Sequence, residues 1–124
     1  MAEGIVLVTG GAKRIGRAIS LRLARAGYSI AIHYRGSSNE AEELVETIEE
    51  FGGSAFTIKA DLEDAESASN LVSLASKHGP ICGIVNNASL FIHDDIHSVD
   101  TESWDAHMDV NAKSPLLLIR SLNE

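Results

Sequence analysis

The sequence predicts an α/β fold in which helices cover both faces of a parallel sheet. Two observations carry this. Short apolar runs of strand character alternate with helix-period segments from one end of the chain to the other. The first run also leads into Val8-Thr9-Gly10-Gly11-Ala12-Lys13-Arg14-Ile15-Gly16, a glycine-rich turn that opens onto a helix. Right-handed crossovers then give strand order 3-2-1-4, one half of a doubly wound sheet.

The first strand is the apolar run Ile5–Thr9. After the turn, Ile15–Ala26 has helical spacing with Ile15, Ala18, Ile19, Leu23 and Ala26 inward, and Gly27 suits its C-terminal cap. Ser29–Tyr34 reads as the second strand. Asn39 is placed to cap an acidic helix that reaches Phe51 and stops at Gly52-Gly53. Its acids (Glu40, Glu42, Glu43, Glu46, Glu49, Glu50) form a solvated face over Ala41, Leu44, Val45, Ile48 and Phe51. Ala55–Lys59 is the third strand. Ala65–His78 is a helix with Ala65, Ala68, Leu71, Val72 and Ala75 on one side, stopped by Gly79-Pro80. Ile81–Asn86 is the fourth strand, an apolar edge prone to association. Residues 87–100 read as loop. A last helix runs from near Thr101 to the chain end, with Trp104 packed against it and a kink at Pro115 that frees a carbonyl near Asn111.

At 124 residues, with 44% apolar residues, the chain suits one domain with its own core. No apolar run approaches the about 18–20 residues of a membrane span. Met1-Ala2-Glu3-Gly4 has no basic leader region, which points to the cytoplasm. The lone Cys82 excludes an internal disulfide and, lying in an apolar run, reads as a buried thiol. A net charge of −8 argues against a nucleic-acid partner. Against that acidic background Lys13, Arg14 and Arg35 flank two turns, a local positive spot suited to a small anion.

The glycine-rich turn supplies the anion site. Amides at a helix start lack helical partners, and the helix dipole favours negative charge there. Gly10 makes the tight turn and Gly16 lets the helix approach ligand and sheet, with Ile15 between turn and helix. Thr9 orients the turn. Arg14, a cation at a helix N-terminus, calls for a compensating anion, with Lys13 as a flexible companion.

Four motifs in order resemble the short-chain dehydrogenase/reductase superfamily over essentially the whole chain: Thr9-Gly10-x-x-x-Arg14-Ile15-Gly16, Asp61-Leu62, Asn86-Asn87-Ala88-Ser89, and Asn111 within Asp109-Val110-Asn111-Ala112-Lys113. Arg14 stands where that turn has its middle glycine, and Ser89 replaces the last glycine of Asn-Asn-Ala-Gly. With His33-Tyr34, Phe91 and the Asn111–Ile119 segment, these departures resemble the pteridine reductase branch. The resemblance implies a Rossmann-like half domain over 1–124 and an NADPH-dependent reductase of a carbonyl or pterin. Asp61, with Leu62 beside it, then meets the adenine or merely caps the following turn; Asn87 belongs to the cofactor side or bridges strands, and Ala88 and Ser89 let the ribose approach the backbone. Phe91 either stacks on the substrate ring or anchors a loop. The Asn111 carbonyl holds a water that relays protons to a catalytic lysine.

The end of the second strand selects the cofactor. An acid there would hold a ribose 2′-hydroxyl. Here His33-Tyr34-Arg35-Gly36-Ser37-Ser38 has none before Glu40, so Arg35 and Ser37 suit a 2′-phosphate, which favours NADPH over NADH. His33 and Tyr34 are equally readable as packing residues. His93-Asp94-Asp95-Ile96-His97 lacks a third ligand and reads as a polar rim, not a metal site. His78 and His107 read as helix-surface residues.

The family's reduction step needs a Tyr-x-x-x-Lys segment. Tyr28 and Tyr34 are followed four places on by Ile32 and Ser38. The expectation is therefore a half domain truncated before the catalytic Ser/Tyr/Lys segment, inactive alone and self-associating through the last helix. The alternative is a non-catalytic nucleotide-binding or self-assembling module.

Overall fold

The computed structural model describes residues 4–123. The leader reading at Met1–Glu3 and the terminal Glu124 lie outside them. The described elements are β1 (Ile5–Val8), α1 (Arg14–Arg25), β2 (Ser29–Tyr34), α2 (Ser38–Glu50), β3 (Ala55–Lys59), α3 (Ala65–Ser76), β4 (Ile81–Val85), α4 (Thr101–Met108) and α5 (Ser114–Leu122). A π-helical turn, Asp109–Lys113, joins the last two helices. The sheet is parallel throughout, in the order β3-β2-β1-β4.

Side chains alternate across the sheet. Ile5, Leu7 and Ala31 pack with Ala68, Leu71, Val72 and Ala75 of α3 and Leu118 of α5. Val6, Val8, Ile30 and Ile32 pack on the other face with Ala24 of α1 and Ala41, Leu44 and Ile48 of α2. Burial on both faces explains why β1 and β2 are continuous apolar runs.

Several expectations are corrected. The buried stripe of α1 is Gly16, Ser20 and Ala24. Ala18 and Ala26 are exposed, Ile19 and Leu23 half-buried, and Ile15 is 70% exposed. The turn brings this helix so close to the sheet that only small residues fit beneath it. Ser37, not Asn39, precedes α2, and its side chain makes no capping hydrogen bond. Phe51 caps α2 on the surface, under the guanidinium of Arg25 at 5.2 Å from the ring centroid.

Cys82 is exposed, against the expectation of a buried thiol. Ile5 pairs with Ile81 but Val6 pairs with Gly83, so Cys82 is an extra residue bulged from β4. The bulge lets both Ile81 and Ile84 face the α3–α5 layer, and it pushes Cys82 out of the alternation. His78 stacks on Phe56, centroids 3.8 Å apart, instead of lying free on the surface.

Pro115 does not simply kink a long helix. It lies in the first turn of α5, where its missing N–H costs least. The residues before it widen into the π turn, in which the Ser114 amide bonds the Asp109 carbonyl. Ser114 also donates its hydroxyl hydrogen to the Leu62 carbonyl, tying this corner to the end of β3. No described helix is long and apolar enough to cross a membrane.

Candidate functional site

The C-terminal ends of β1, β2, β3 and β4 surround a cleft of about 620 Å³. It lies at the position where ligands bind in open parallel sheets, outside the strand ends. The glycine turn forms one wall. Gly10 holds φ 59°, and a Cβ on it would lie 3.1 Å from the Ala88 Cα. At Gly16 a Cβ would lie 2.0 Å from the Gly10 carbonyl oxygen, so no other residue fits.

Thr9 and Asn87 brace this turn from below. The buried Thr9 hydroxyl donates to the Val85 carbonyl at 3.3 Å and accepts from the Asn87 and Ala88 amides, each at 3.0 Å. The Asn87 side-chain amide donates to the carbonyls of Thr9 and Gly10, both at 3.1 Å. Asn87 therefore straps β4 to the turn.

The other wall contains His33, only 3% exposed. The Gly10 amide donates to its Nδ1 at 2.9 Å, and its Nε2 lies 2.9 Å from the Ala60 carbonyl. An amide only donates and a carbonyl only accepts, so the ring is the neutral Nε2–H tautomer. Burial, as the larger influence, pushes its pKa below the ordinary 6.5, and the bond to Ala60 opposes this. The Gly11 amide bonds the His33 carbonyl at 3.0 Å, so residue 33 receives two consecutive amides of the turn.

Helical bonding in α1 starts with the Arg17 amide on the Lys13 carbonyl, 3.1 Å. The amides of Arg14, Ile15 and Gly16 precede it and have no carbonyl within the helix to bond. Arg14 holds φ 53°, the conformation of the glycine it replaces. Lys13, Arg14 and Ile15 all line the cleft.

Arg35 lines it too, with Nε 3.8 Å from Asp61 Oδ1 and a terminal nitrogen 3.6 Å from Glu63 Oε2. The same Asp61 oxygen accepts the Glu63 amide at 3.0 Å, so Asp61 also braces the turn after β3.

Gly10, Lys13, Arg14, Ile15, His33, Arg35, Asp61, Leu62, Asn87, Ala88 and Ser89 thus converge on one cleft. Gly16, Tyr34 and Ser37 do not line it: Gly16 lies beneath the turn, Tyr34 packs against the core on the α1–α2 side, and Ser37 precedes α2. Ala60, Leu90 and Val110 also line it and were missed. Each adjoins a motif residue (Asp61, Ser89, Asn111), which was the available signal.

Phe91 lies outside the cleft lining and is 82% exposed. Its neighbours are clamped. The Asn111 side chain accepts from the Leu90 amide at 2.8 Å and donates to the Leu90 carbonyl at 2.9 Å. His107 accepts the Ile92 amide at Nε2, 2.9 Å, with Nδ1 2.8 Å from the Ser103 carbonyl, so it is a bridge and not a free surface residue. Asn111 is not a lining residue, and its carbonyl receives no α-type bond because Pro115 has no N–H. In the His93–His97 stretch, Asp95 Oδ1 accepts the His97 and Ser98 amides, which pulls its carboxyl below the ordinary range.

The profile of the short chain dehydrogenase family matches residues 4–124. The short-chain dehydrogenase/reductase homolog YusS of Bacillus subtilis is 42% identical over 90 residues, 72% of this chain and 83% of that protein. The 3-oxoacyl-(acyl-carrier-protein) reductase FabG of Staphylococcus aureus is 36% identical over 108 residues, 86% of this chain and 44% of that one. Among solved structures, FolM alternative dihydrofolate reductase 1 of Brucella canis, complexed with NADP, superposes with a TM-score of 0.91 at 43% identity, covering 97% of this chain and 48% of that one. A blue fluorescent protein from a metagenomic library, in complex with NADPH, matches with a TM-score of 0.91 at 33% identity, covering 97% and 50%. The chain thus spans about half the length of most of these proteins.

Proposed function

Because the chain belongs to the short-chain dehydrogenase family, we propose that it is the cofactor-binding part of an NADP(H)-dependent oxidoreductase acting on a carbonyl or pterin. One observation carries the reading. The start of α1, where the amides before Arg17 have no carbonyl within the helix to bond, adjoins a cleft that Lys13, Arg14, Ile15 and Arg35 line, while the end of β2 offers no carboxylate to a ribose 2′-hydroxyl. The NADP and NADPH complexes of two similar proteins support the same cofactor.

The residues present suit such a cofactor. The Arg14–Gly16 amides would take the pyrophosphate, with Arg14 and Lys13 nearby. Arg35 would take the 2′-phosphate, with Ser37 beside it at the start of α2. Its bonds to Asp61 and Glu63 are long and exposed, each worth about 0–1 kcal/mol, so a phosphate can recruit it cheaply. Asp61 and Leu62 would meet the adenine, and Ala88 and Ser89 the nicotinamide ribose. Bound NADPH supplies the hydride.

The likeness to a dihydrofolate reductase supports the pterin alternative, since dihydrofolate carries a pterin ring. Phe91 would then stack on that ring. Asn111 would offer its carbonyl to the relay water. These 124 residues hold no Tyr-x-x-x-Lys segment, so an assay of this chain with NADPH and a carbonyl or pterin is expected to show no substrate-dependent oxidation.

A second reading, a self-assembling module, is favoured by exposed apolar side chains on the last two helices, Trp104 at 61% and Leu116 at 65%. Self-association there is compatible with either reading.

The test is a pair of variants. Arg14→Gly and Arg35→Ala should each weaken NADP⁺ binding about tenfold, as loss of a charge-assisted phosphate contact does, and leave NAD⁺ nearly unchanged for Arg35→Ala. Equal loss for both cofactors in Arg35→Ala would contradict the 2′-phosphate assignment.

A further inference from the structure

His33 lines the cofactor cleft, yet both of its ring nitrogens bond the protein backbone. Nδ1 takes the Gly10 amide and Nε2–H reaches the Ala60 carbonyl. These partners lie 23 and 27 residues away in sequence, one at the end of β1 and one just past β3. The ring therefore spans the cleft floor from the glycine turn to the loop that carries Asp61.

We infer that His33 is a positioning residue which, only as a neutral imidazole, holds the glycine-rich turn in its phosphate-binding shape, so that acid opens the cofactor site. The inference rests on the nucleotide-binding reading above. An imidazolium has no acceptor nitrogen. Protonated at Nδ1, the ring would aim an N–H at the Gly10 N–H. One of the two donors must then move. The turn cannot yield locally. The Gly10 carbonyl is held by Asn87, and neither Gly10, against Ala88, nor Gly16, against that carbonyl, has room for so much as a Cβ. A shift at Gly10 therefore passes to the start of α1 and the amides of Arg14–Gly16.

The charged groups that share this cleft are Lys13 and Arg14 from the turn, Arg35 from the end of its own strand and Asp61 from beyond β3, with Glu63 bonded to Arg35. Burial is what favours the neutral ring. A bound anionic cofactor pulls the opposite way, because it would attract an imidazolium. The two effects predict opposite pH dependences, so affinity measured against pH separates them.

The experiment is NADP⁺ titration by calorimetry at about pH 7.5 and about pH 5, on the parent chain, His33→Asn and His33→Gln. Asn places an acceptor near the position of Nδ1 and cannot titrate. Gln places a donor near Nε2 and leaves the Gly10 amide unpaired. Acid should weaken the parent beyond any loss in His33→Asn, over the pH range in which the ring takes up its proton. His33→Asn should stay within about threefold of the parent at neutral pH, as expected when the turn bond survives. His33→Gln should be weaker than both at neutral pH and, having no ring to protonate, should not share the parent's further loss in acid. The ionisation of the 2′-phosphate near pH 6 is common to all three and cancels in the comparison.

Equal acid dependence in the parent and His33→Asn, or tighter parent binding in acid, overturns the inference. A cofactor-free readout accompanies it. In ¹⁵N spectra the ring should be the Nε2–H tautomer, and the Gly10 amide should shift in step with its titration. If NADP⁺ fails to bind at any pH, the nucleotide reading falls while this readout still judges the lock. A ring that titrates without moving Gly10 overturns the lock itself.

Discussion

Arg14 holds a left-handed backbone, φ 53°, that costs a non-glycine residue about 1–2 kcal/mol. It is also a cation at the positive end of a helix. Both penalties are tolerable if an anion occupies the cleft. Arg14→Gly should therefore raise Tm by roughly 2–4 °C in the free chain, the relieved strain being partly offset by glycine's greater unfolded freedom. The same substitution weakens NADP⁺ binding; a lowered Tm would show that Arg14 carries no strain. His33 sets a pH dependence of stability. Its folded pKa lies below 6.5, so the unfolded chain binds more protons between the two values. Stability should be full above about pH 6.5 and fall as pH drops through that window, and His33→Asn should flatten the slope in urea titrations. The position of Arg14 was legible because it interrupts a glycine pattern. The role of His33 was not, because its partners are 23 and 27 residues away and strand alternation says only which way it faces.

At the scale of elements, β2 and β3 begin and end where their runs of strand character and the flanking turns put them. The α3 stripe of Ala68, Leu71, Val72 and Ala75 also follows its helical period. The face of α1 does not, because periodicity favours the large residues Ile15, Ile19 and Leu23 while close approach selects Gly16, Ser20 and Ala24. That approach is rigid. Gly16→Ala puts a methyl 2.0 Å from a backbone oxygen that Asn87 already holds. It should cost at least about 3 kcal/mol, a Tm fall of roughly 10 °C or more. A variant melting like the parent would mean that α1 stands farther from the turn than described. The π turn was only half legible. Pro115 announced an irregularity near Asn111, but the widening to a five-residue spacing depends on how α5 docks, through Ser114 on the Leu62 carbonyl and Leu118 in the core.

For the whole molecule, strand order followed from right-handed crossovers together with the doubly wound class that the glycine-rich first turn marks, and the convergence of motifs at the strand ends followed from strand order. The long-range bonds that brace the cleft, Asn87 to the turn and Asn111 to Leu90, could not be read before the fold was known. Burial is uneven. Phe91, Ile96, Trp104, Met108, Leu116 and Ile119 remain exposed on the loop and the last helices. The chain should self-associate at micromolar concentration, and Trp104→Ser with Leu116→Glu should shift it toward monomer in light scattering. A monomeric parent would remove that surface from consideration. The central claim is a cleft built for a nucleotide carrying a 2′-phosphate, and calorimetric titration of the chain with NADP⁺ and with NAD⁺ tests it most directly. Tighter binding of NADP⁺ by about tenfold, narrowing as salt is raised, is the result expected of a charge-assisted phosphate contact. Equal binding of the two, or no binding of either, would contradict it.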